Sequence, residues 1–284
     1  MTLIEFKNWF VLTLNKKYPR REIDFYFNQL MEHFTSINPI DLALKPDQKL
    51  QKIPLATLKK TTLELAEFKP LQYILGECLF LERTFKVNQQ VMIPRPETEE
   101  LVQWINEDYS STKNIQVFDI GIGSGCIAIS LAIENPTWIV EGCDAYDVVL
   151  KVANLNAKKL QAKTRFFKLD IFKHEAKKED SKYHVIVSNP PYVTHCEKKE
   201  IQPNVLKWEP HSALFVPDEN PLIFYRKIVA YGCDHLEPNG YLYLEINPKF
   251  HQEINDLLKS FNYIDIVFKK DRFDQIRMVK AAIN

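Results

Sequence analysis

The sequence predicts an α/β protein: a doubly wound, largely parallel sheet with one antiparallel strand at its C-terminal end, preceded by a small helical domain. Three observations lead there. From Gln116 onward, short apolar runs alternate with helix-like segments, the pattern of a parallel sheet covered on both faces. The last two runs, "IDIVFKK" and "IRMVKAAI", lie too close for a crossover helix, so one of them must run antiparallel. The first glycine of the chain is Gly76, and the segment before it carries helical periodicity instead of turn signals.

Within residues 1–76, Leu3, Phe6, Phe10 and Leu14 line one helical face, and Ile23, Phe27, Leu30 and Phe34 line another. Pro39 and Pro54 suit the first turns of two more helices. The aromatic residues Phe25, Tyr26, Phe27 and Phe34 are expected in the core of this bundle. Residues 77–93 contain β-type runs on either side of "NQQ", which fits a hairpin turning there. "PRPETEELV" then opens a helix at Pro96, with acidic residues in the first turn where the helix dipole favours them. Next come the strand "QVFDI", the helix "CIAISLAIEN", the strand "WIVEGCD", the helix "DVVLKVANLNAKKL", and the strands "TRFFKLD", "YHVIVSN" and "GYLYLEI". The mixed-sign stretch "KHEAKKEDSKYH" reads as a solvated loop. The expected organisation is a bundle over 1–76, a hairpin linker over 77–93 and an α/β domain over 94–284.

Composition narrows the function. Lys plus Arg and Asp plus Glu are both 37, which argues against affinity from coating a long phosphate backbone though not against a local basic patch; direct nucleic-acid binding is not expected. The five cysteines (Cys78, Cys126, Cys143, Cys196, Cys233) are scattered with no Cys-x-x-Cys pair, which suggests neither a disulfide framework nor a metal site. The charged opening "MTLIEFKNWF" is unlike a signal peptide, and no apolar run approaches the roughly 18 residues of a membrane span. A cytoplasmic monomer is the expectation.

Two motifs carry chemistry. "DIGIGSG" places Gly121, Ile122, Gly123, Ser124 and Gly125 in the turn from the first strand of the sheet into its helix. Glycine there allows positive φ and close approach of a ligand to the backbone, beside the positive end of a helix. Asp144 ends the second strand about 20 residues on, where an acidic side chain meets ribose hydroxyls. A nucleoside-containing cofactor is implied. Position 126 is Cys126, so the dinucleotide spacing G-x-G-x-x-G is not met. The G-x-G-x-G spacing resembles the first motif of class I S-adenosylmethionine (SAM) methyltransferases.

The second motif is "SNPPY", in which the fourth strand stops on Asn189, Pro190, Pro191 and Tyr192. Ligands of such sheets sit beyond the carboxyl ends of the strands at the switch in strand order, so Asn189 should face the cofactor. Two prolines stiffen the backbone and leave carbonyls without competing N–H groups. A side-chain carbonyl, a main-chain carbonyl and the ring of Tyr192 together suit a planar –NH₂ group. Such a nitrogen is a poor nucleophile. Acceptors gripping its hydrogens would hold it more tightly as the new C–N bond forms and the hydrogens turn acidic.

"IPRPETEELV", "FDIGIGSGCIAISLA", "VSNPPYV" and "EPHSALF" occur in that order, after a helical domain ending in "PLQYILGE". The series resembles the HemK/PrmC family over nearly the whole chain. The resemblance implies a class I SAM-methyltransferase, Rossmann-like fold. It also implies methylation of the side-chain amide nitrogen of glutamine in the Gly-Gly-Gln motif of class 1 peptide-chain release factors. By position, Gly121 to Gly125 would cradle the methionine part of SAM, Asp144 the ribose, and Asp170 and Ile171 the adenine. Asn189, Pro190, Pro191 and Tyr192 would hold the glutamine amide, with Arg95 and Glu97 near the same mouth. The family's Glu-Ile-Gly with a nearby Gln is here "EINPKF" (residues 245–250), and its late Asp-x-x-Gly-x-x-Arg pattern is "DRFDQIR"; both fall where sheet packing is expected.

Asn-Pro-Pro-Tyr is also shared with nucleic-acid amino-methyltransferases, which keeps a second function open. Such an enzyme would need a large basic target-recognition segment, and the insert between Tyr192 and Phe215 is short and mixed in sign. A SAM-binding interaction protein without turnover is the third possibility.

Overall fold

The computed structural model describes residues 1–173 and 182–283, so most of the loop expected at "KHEAKKEDSKYH" lies outside the described residues. Two compact units emerge: residues 1–77 with 202–208, and residues 78–201 with 209–284.

The first unit contains α1 (Leu3–Leu14), α2 (Arg20–Thr35), α3 (Pro39–Leu44), α4 (Lys52–Ala66) and α5 (Leu71–Leu75). Thr2 and Glu5 form a capping box that starts α1, and Asn38 and Asp41 form another at α3, satisfying N–H groups that the helix leaves unpaired. Gly76, at φ 70°, closes α5 in the left-handed conformation. Leu3, Phe6, Phe10, Leu14, Ile23, Phe27 and Leu30 form the bundle core as their spacing predicts, and Phe34 packs at its margin. Phe25 corrects the expected aromatic core, being 55% exposed. It stands two residues after Ile23, about 200° around the helix, and so faces away from the buried stripe. Residues 202–208 lie within the span expected for the α/β domain, but the structure groups them with the helices. There Trp208 donates its indole N–H to the Glu67 carbonyl at 3.0 Å.

The second unit opens with a hairpin of β1 (Glu77–Phe80) and β2 (Arg83–Lys86). Its turn is Leu81–Glu82, both at positive φ, and "NQQ" lies beyond β2, which corrects the expected turn position. No Gly or Asn marks this turn; the Leu81 N–H is held by the Glu99 carboxylate at 3.0 Å. The elements that follow are α6 (Pro96–Asp108), β3 (Gln116–Ile120), α7 (Cys126–Glu134), β4 (Ile139–Asp144), α8 (Asp147–Lys159), β5 (Thr164–Lys168) and β6 (Tyr183–Ser188). Then come β7 (Val193–Thr194), α9 (Pro203–Trp208, grouped with the first unit), β8 (Phe215–Val216), α10 (Ile223–His235), β9 (Leu236–Glu245), α11 (His251–Ser260), β10 (Ile264–Lys270) and β11 (Ile276–Ala282). No helix among the described residues is long and apolar enough to cross a membrane.

The main sheet has the order β10-β11-β9-β6-β3-β4-β5. Strands β9, β6, β3, β4 and β5 are mutually parallel, and β11 runs antiparallel between β9 and β10. The single reversed strand is the one expected from the short final connection. Chain order reverses between β3 and β6, so their carboxyl ends flank a crevice. Alternate residues feed two cores. Val117, Val185 and Tyr243 pack with α6 and α7 on one face, while Phe118, Ile186, Leu242 and Leu244 pack with α10 and α11 on the other. Phe118 is fully buried and stacks against Phe167, Tyr183 and Tyr231, with centroids 4.7–5.6 Å away. Phe118→Ala is therefore expected to cost about 3–5 kcal/mol of stability, read as a lower urea midpoint. A loss under about 1 kcal/mol would mean that this second core is not packed as described.

Candidate functional site

The parallel register brings the carboxyl ends of β3, β4, β5 and β6 to one edge of the sheet, so the motif residues converge there. Beyond β3, Gly121, Gly123 and Gly125 have φ of 78°, 54° and 82°, conformations that L side chains rarely adopt. A Cβ on Gly121 or Gly123 would meet nothing within 4 Å, whereas one on Gly125 would lie 2.8 Å from Ile129 Cδ1. Two glycines thus leave open space over the loop, and the third lets α7 approach. Ser124 is buried in the same turn. The N–H groups of Gly121 and Ile122 donate to the Cys143 carbonyl at 2.9 and 3.1 Å, tying the loop to β4. Gly142 was not anticipated: a Cβ there would lie 2.5 Å from Ile122 Cγ2, so its bare backbone seats the loop.

Asp144 lies at the end of β4, where its carboxylate accepts from the Gly123 N–H at 3.4 Å and the Tyr146 N–H at 3.1 Å. Burial raises its pKa, and the backbone donors Tyr146, Gly123 and Ala145 oppose the rise. The Leu169 N–H bonds the Asp144 carbonyl at 3.1 Å, which sets Asp170 and Ile171 beside it. Asp170 accepts from the Phe172 N–H at 3.0 Å, and Ile171 packs on the second core.

These residues fit the nucleoside cofactor that the motifs imply. Open backbone lies over the loop, a carboxylate stands at its side, and Asp119 beneath it is buried with Oδ1 unpartnered. Asp119 Oδ2 accepts from the Ala128 N–H at 3.2 Å.

The structure also shows what grips Asn-Pro-Pro-Tyr. Ser188 Oγ donates to the Ile120 carbonyl at 2.6 Å, joining the ends of β6 and β3. Asn189 Nδ2 donates to Thr98 Oγ1 at 3.1 Å, and Thr98 donates to Glu245 Oε2 at 2.7 Å. Tyr192 OH donates to Glu245 Oε1 at 3.0 Å. Among the described residues, no hydrogen bond reaches Asn189 Oδ1. Glu245 is buried, and its pKa is raised by burial. Asn247 donates to the Tyr192 carbonyl at 3.2 Å and to Glu197 at 3.0 Å. Thus "EINPKF" does more than pack the sheet: it clamps the motif. Strands β7 and β8 pair in parallel just beyond it, with Val193↔Phe215 in register.

Arg95 forms an ion pair with the buried Glu209 of "EPHSALF", which also accepts from the Ile93 N–H at 3.2 Å. The charge of Arg95 bears on Tyr192, and that of Glu97 on Glu245. Thr98, Glu209, Glu245 and Asn247 were missed as site residues. Thr98 and Glu209 stand inside quoted motifs, and that position was the available signal.

Burial pushes the Asp119 carboxyl up to about 7, the Ala128 N–H opposes this, and the charge of Asp144 adds to it. A carboxyl with a higher pKa folded than unfolded binds more protons when folded. Its contribution to stability is full below the ordinary value of 3.8 and is lost as pH rises toward about 7. Asp119→Asn should remove that slope and gain on the wild type across this window, by on the order of 3 kcal/mol at pH 8. Urea titrations of the ligand-free proteins at pH 4.5 and 8 would check it. An equal difference at both would show that Asp119 is not protonated by burial.

Comparison with known proteins agrees with this architecture. The family profile "Methyltransferase small domain" matches residues 97–208, and "PrmC N-terminal domain" matches residues 6–76. The release factor glutamine methyltransferase of Flavobacterium psychrophilum is 43% identical over 284 residues, covering 99% of each chain. That of Bacteroides thetaiotaomicron is 38% identical over 269 residues, covering 95% of this chain and 96% of its own. Among solved structures, a Thermus thermophilus 16S rRNA N2 methyltransferase in complex with AdoMet and guanosine aligns with TM-score 0.53 and 18% identity. That alignment covers 73% of this chain and 50% of the other. A Pyrococcus furiosus methyltransferase aligns with TM-score 0.50 and 16% identity, covering 70% and 87%. These two share the fold, the class I methyltransferase sheet. With near-complete coverage by relatives of this identity, the chain belongs to the release factor glutamine methyltransferase family.

Proposed function

We propose that this chain transfers the methyl group of SAM to the side-chain amide nitrogen of glutamine in the Gly-Gly-Gln motif of class 1 release factors. One observation supports this most: Asn189 directly follows β6, whose neighbour β3 carries the glycine loop at its end, and its amide nitrogen is engaged while its Oδ1 is left for a substrate hydrogen. Bound SAM supplies a methyl group on a cationic sulfonium. Gly121, Ile122, Gly123, Ser124 and Gly125 hold the methionine part, Asp144 the ribose, and Asp170 with Ile171 the adenine.

Asn189 Oδ1 and the Pro190 carbonyl accept the two N–H hydrogens of the glutamine amide. Pro191 keeps that backbone stiff, and the Tyr192 ring lies against the amide plane. Arg95 and Glu97 border the entrance. As the N–C bond forms, the nitrogen becomes positive and both hydrogen bonds strengthen, so the grip acts chiefly on the transition state. The nitrogen then releases a proton to water, and no side-chain base is needed. The cofactor and amide residues all belong to the sheet unit, so recognition of the release factor is assigned to the helical unit.

Incubating the protein with SAM and a purified release factor, followed by tandem mass spectrometry, tests the function. One methyl on the glutamine side chain is expected, and transfer to nucleic acid alone would overturn the proposal. Asp144→Ala should weaken SAM binding by about 1.5–3 kcal/mol in equilibrium titration, the range for hydrogen bonds to a charged group; unchanged affinity would remove the ribose assignment. Asn189→Ala should slow single turnover by about 10²–10³ with little change in SAM affinity. Asn189→Asp keeps an acceptor and should fall between it and the wild type. A near-normal rate for the alanine variant would reduce the motif to a turn.

A further inference from the structure

The role of Asn189 depends on which end of its amide faces the substrate. The two ends are alike in shape and opposite in function, since the oxygen accepts a hydrogen bond and the nitrogen donates one. A rotation of 180° would turn an acceptor for the glutamine N–H into a competing donor. We propose that Thr98 and Glu245 are positioning residues that hold the Asn189 amide with its oxygen toward the substrate. This rests on Asn-Pro-Pro-Tyr being the amide-binding site.

The Thr98 hydroxyl has a single proton. Glu245 Oε2, at 2.7 Å, takes it. Toward Asn189, 3.1 Å away, Thr98 can then only accept, so Nδ2 is drawn inward and Oδ1 is left outward. The Glu245 anion accepts a hydrogen bond on each oxygen, from Thr98 on one and from Tyr192 on the other. If Glu245 takes up a proton, one of those hydroxyls has to reverse. A reversed Thr98 would donate to Asn189, which would then present its nitrogen to the substrate.

Every charged or titratable group around Glu245 bears on that switch. Glu97, in the first turn of α6, opposes the anion, and Arg277 on β11 favours it. Tyr192 contributes a neutral hydroxyl, and Tyr225 of α10 donates to the Glu245 main-chain carbonyl at 3.2 Å. With burial favouring the protonated form, methylation is expected to fall with acid at a pH above the ordinary carboxylate range. An exposed glutamate in this place would put that limb in the ordinary carboxylate range.

The test is single-turnover methylation of an intact release factor at saturating SAM, with SAM affinity measured separately to confirm folding. Thr98→Val should slow transfer about 10- to 100-fold, the effect of leaving one buried partner unmade. Thr98→Ser, which keeps the hydroxyl, should restore most of the rate. In the Asn189→Ala background Thr98→Val should add almost nothing, because both changes act through one amide. Glu245→Gln should slow the reaction and flatten its acid limb. A wild-type rate for Thr98→Val, or the same loss with and without Asn189, would overturn the relay. Should Thr98→Val fail to fold, a Glu245→Gln protein with unchanged rate and pH profile would overturn it instead. A wild-type enzyme that methylates no glutamine would overturn the amide-site reading itself, and the relay with it; an active wild type indifferent to these changes overturns the relay alone.

Discussion

The buried carboxylate of Glu245 holds the site together. It sits at the last position of β9 and accepts hydroxyls from the first turn of α6 and from the residue that ends Asn-Pro-Pro-Tyr. Three segments far apart in sequence meet on one charged group. A buried carboxylate is costly unless its lone pairs are used, and here both oxygens and the main-chain carbonyl have donors. The cost of desolvation becomes a source of geometric definition, because Thr98 and Tyr192 each fill one of its oxygens. The stiffness of two prolines would be of little use if the strand end carrying them could tilt.

The cofactor side is built on a different principle. Backbone does most of the shaping, with the Asp144 carboxylate accepting from the Gly123 N–H and the Asn156 amide donating to the Ser124 carbonyl. Positive-φ glycines, the bare face of Gly142 and two N–H bonds to the Cys143 carbonyl fix it. Asp119 beneath it is an acid held near neutrality by burial. The substrate side thus relies on a satisfied carboxylate and the cofactor side on one left partly unsatisfied.

Most of the fold was legible because its signals are local. Alternating apolar runs define strands buried on both faces, and the short connection before "IRMVKAAI" forces the antiparallel strand. The glycine loop and the strand ending on Asn189 carry their geometry in consecutive residues. What could not be read is long-range or lacks a chemical marker. The partnership of Thr98 with Glu245 spans 147 positions and that of Ile93 with Glu209 spans 116. The turn at Leu81–Glu82 uses two residues that rarely accept positive φ, stabilised by Glu99 from α6. Nothing in "QPNVLKW" (residues 202–208) marks it as a piece of the helical unit. The "EINPKF" segment shows the same limit, for its divergence from the family pattern was visible but its grip on Tyr192 through Asn247 was not.

The site presents acceptors to a planar nitrogen. The most direct measurement is tandem mass spectrometry of two release factors after reaction, one with its target glutamine and one with glutamate in its place. A carboxylate has no N–H to offer, and its oxygens would face the Asn189 and Pro190 carbonyls, acceptor against acceptor. Methyl is expected on the glutamine protein and none on the glutamate protein. Methyl ester formation on glutamate at a comparable rate would contradict it.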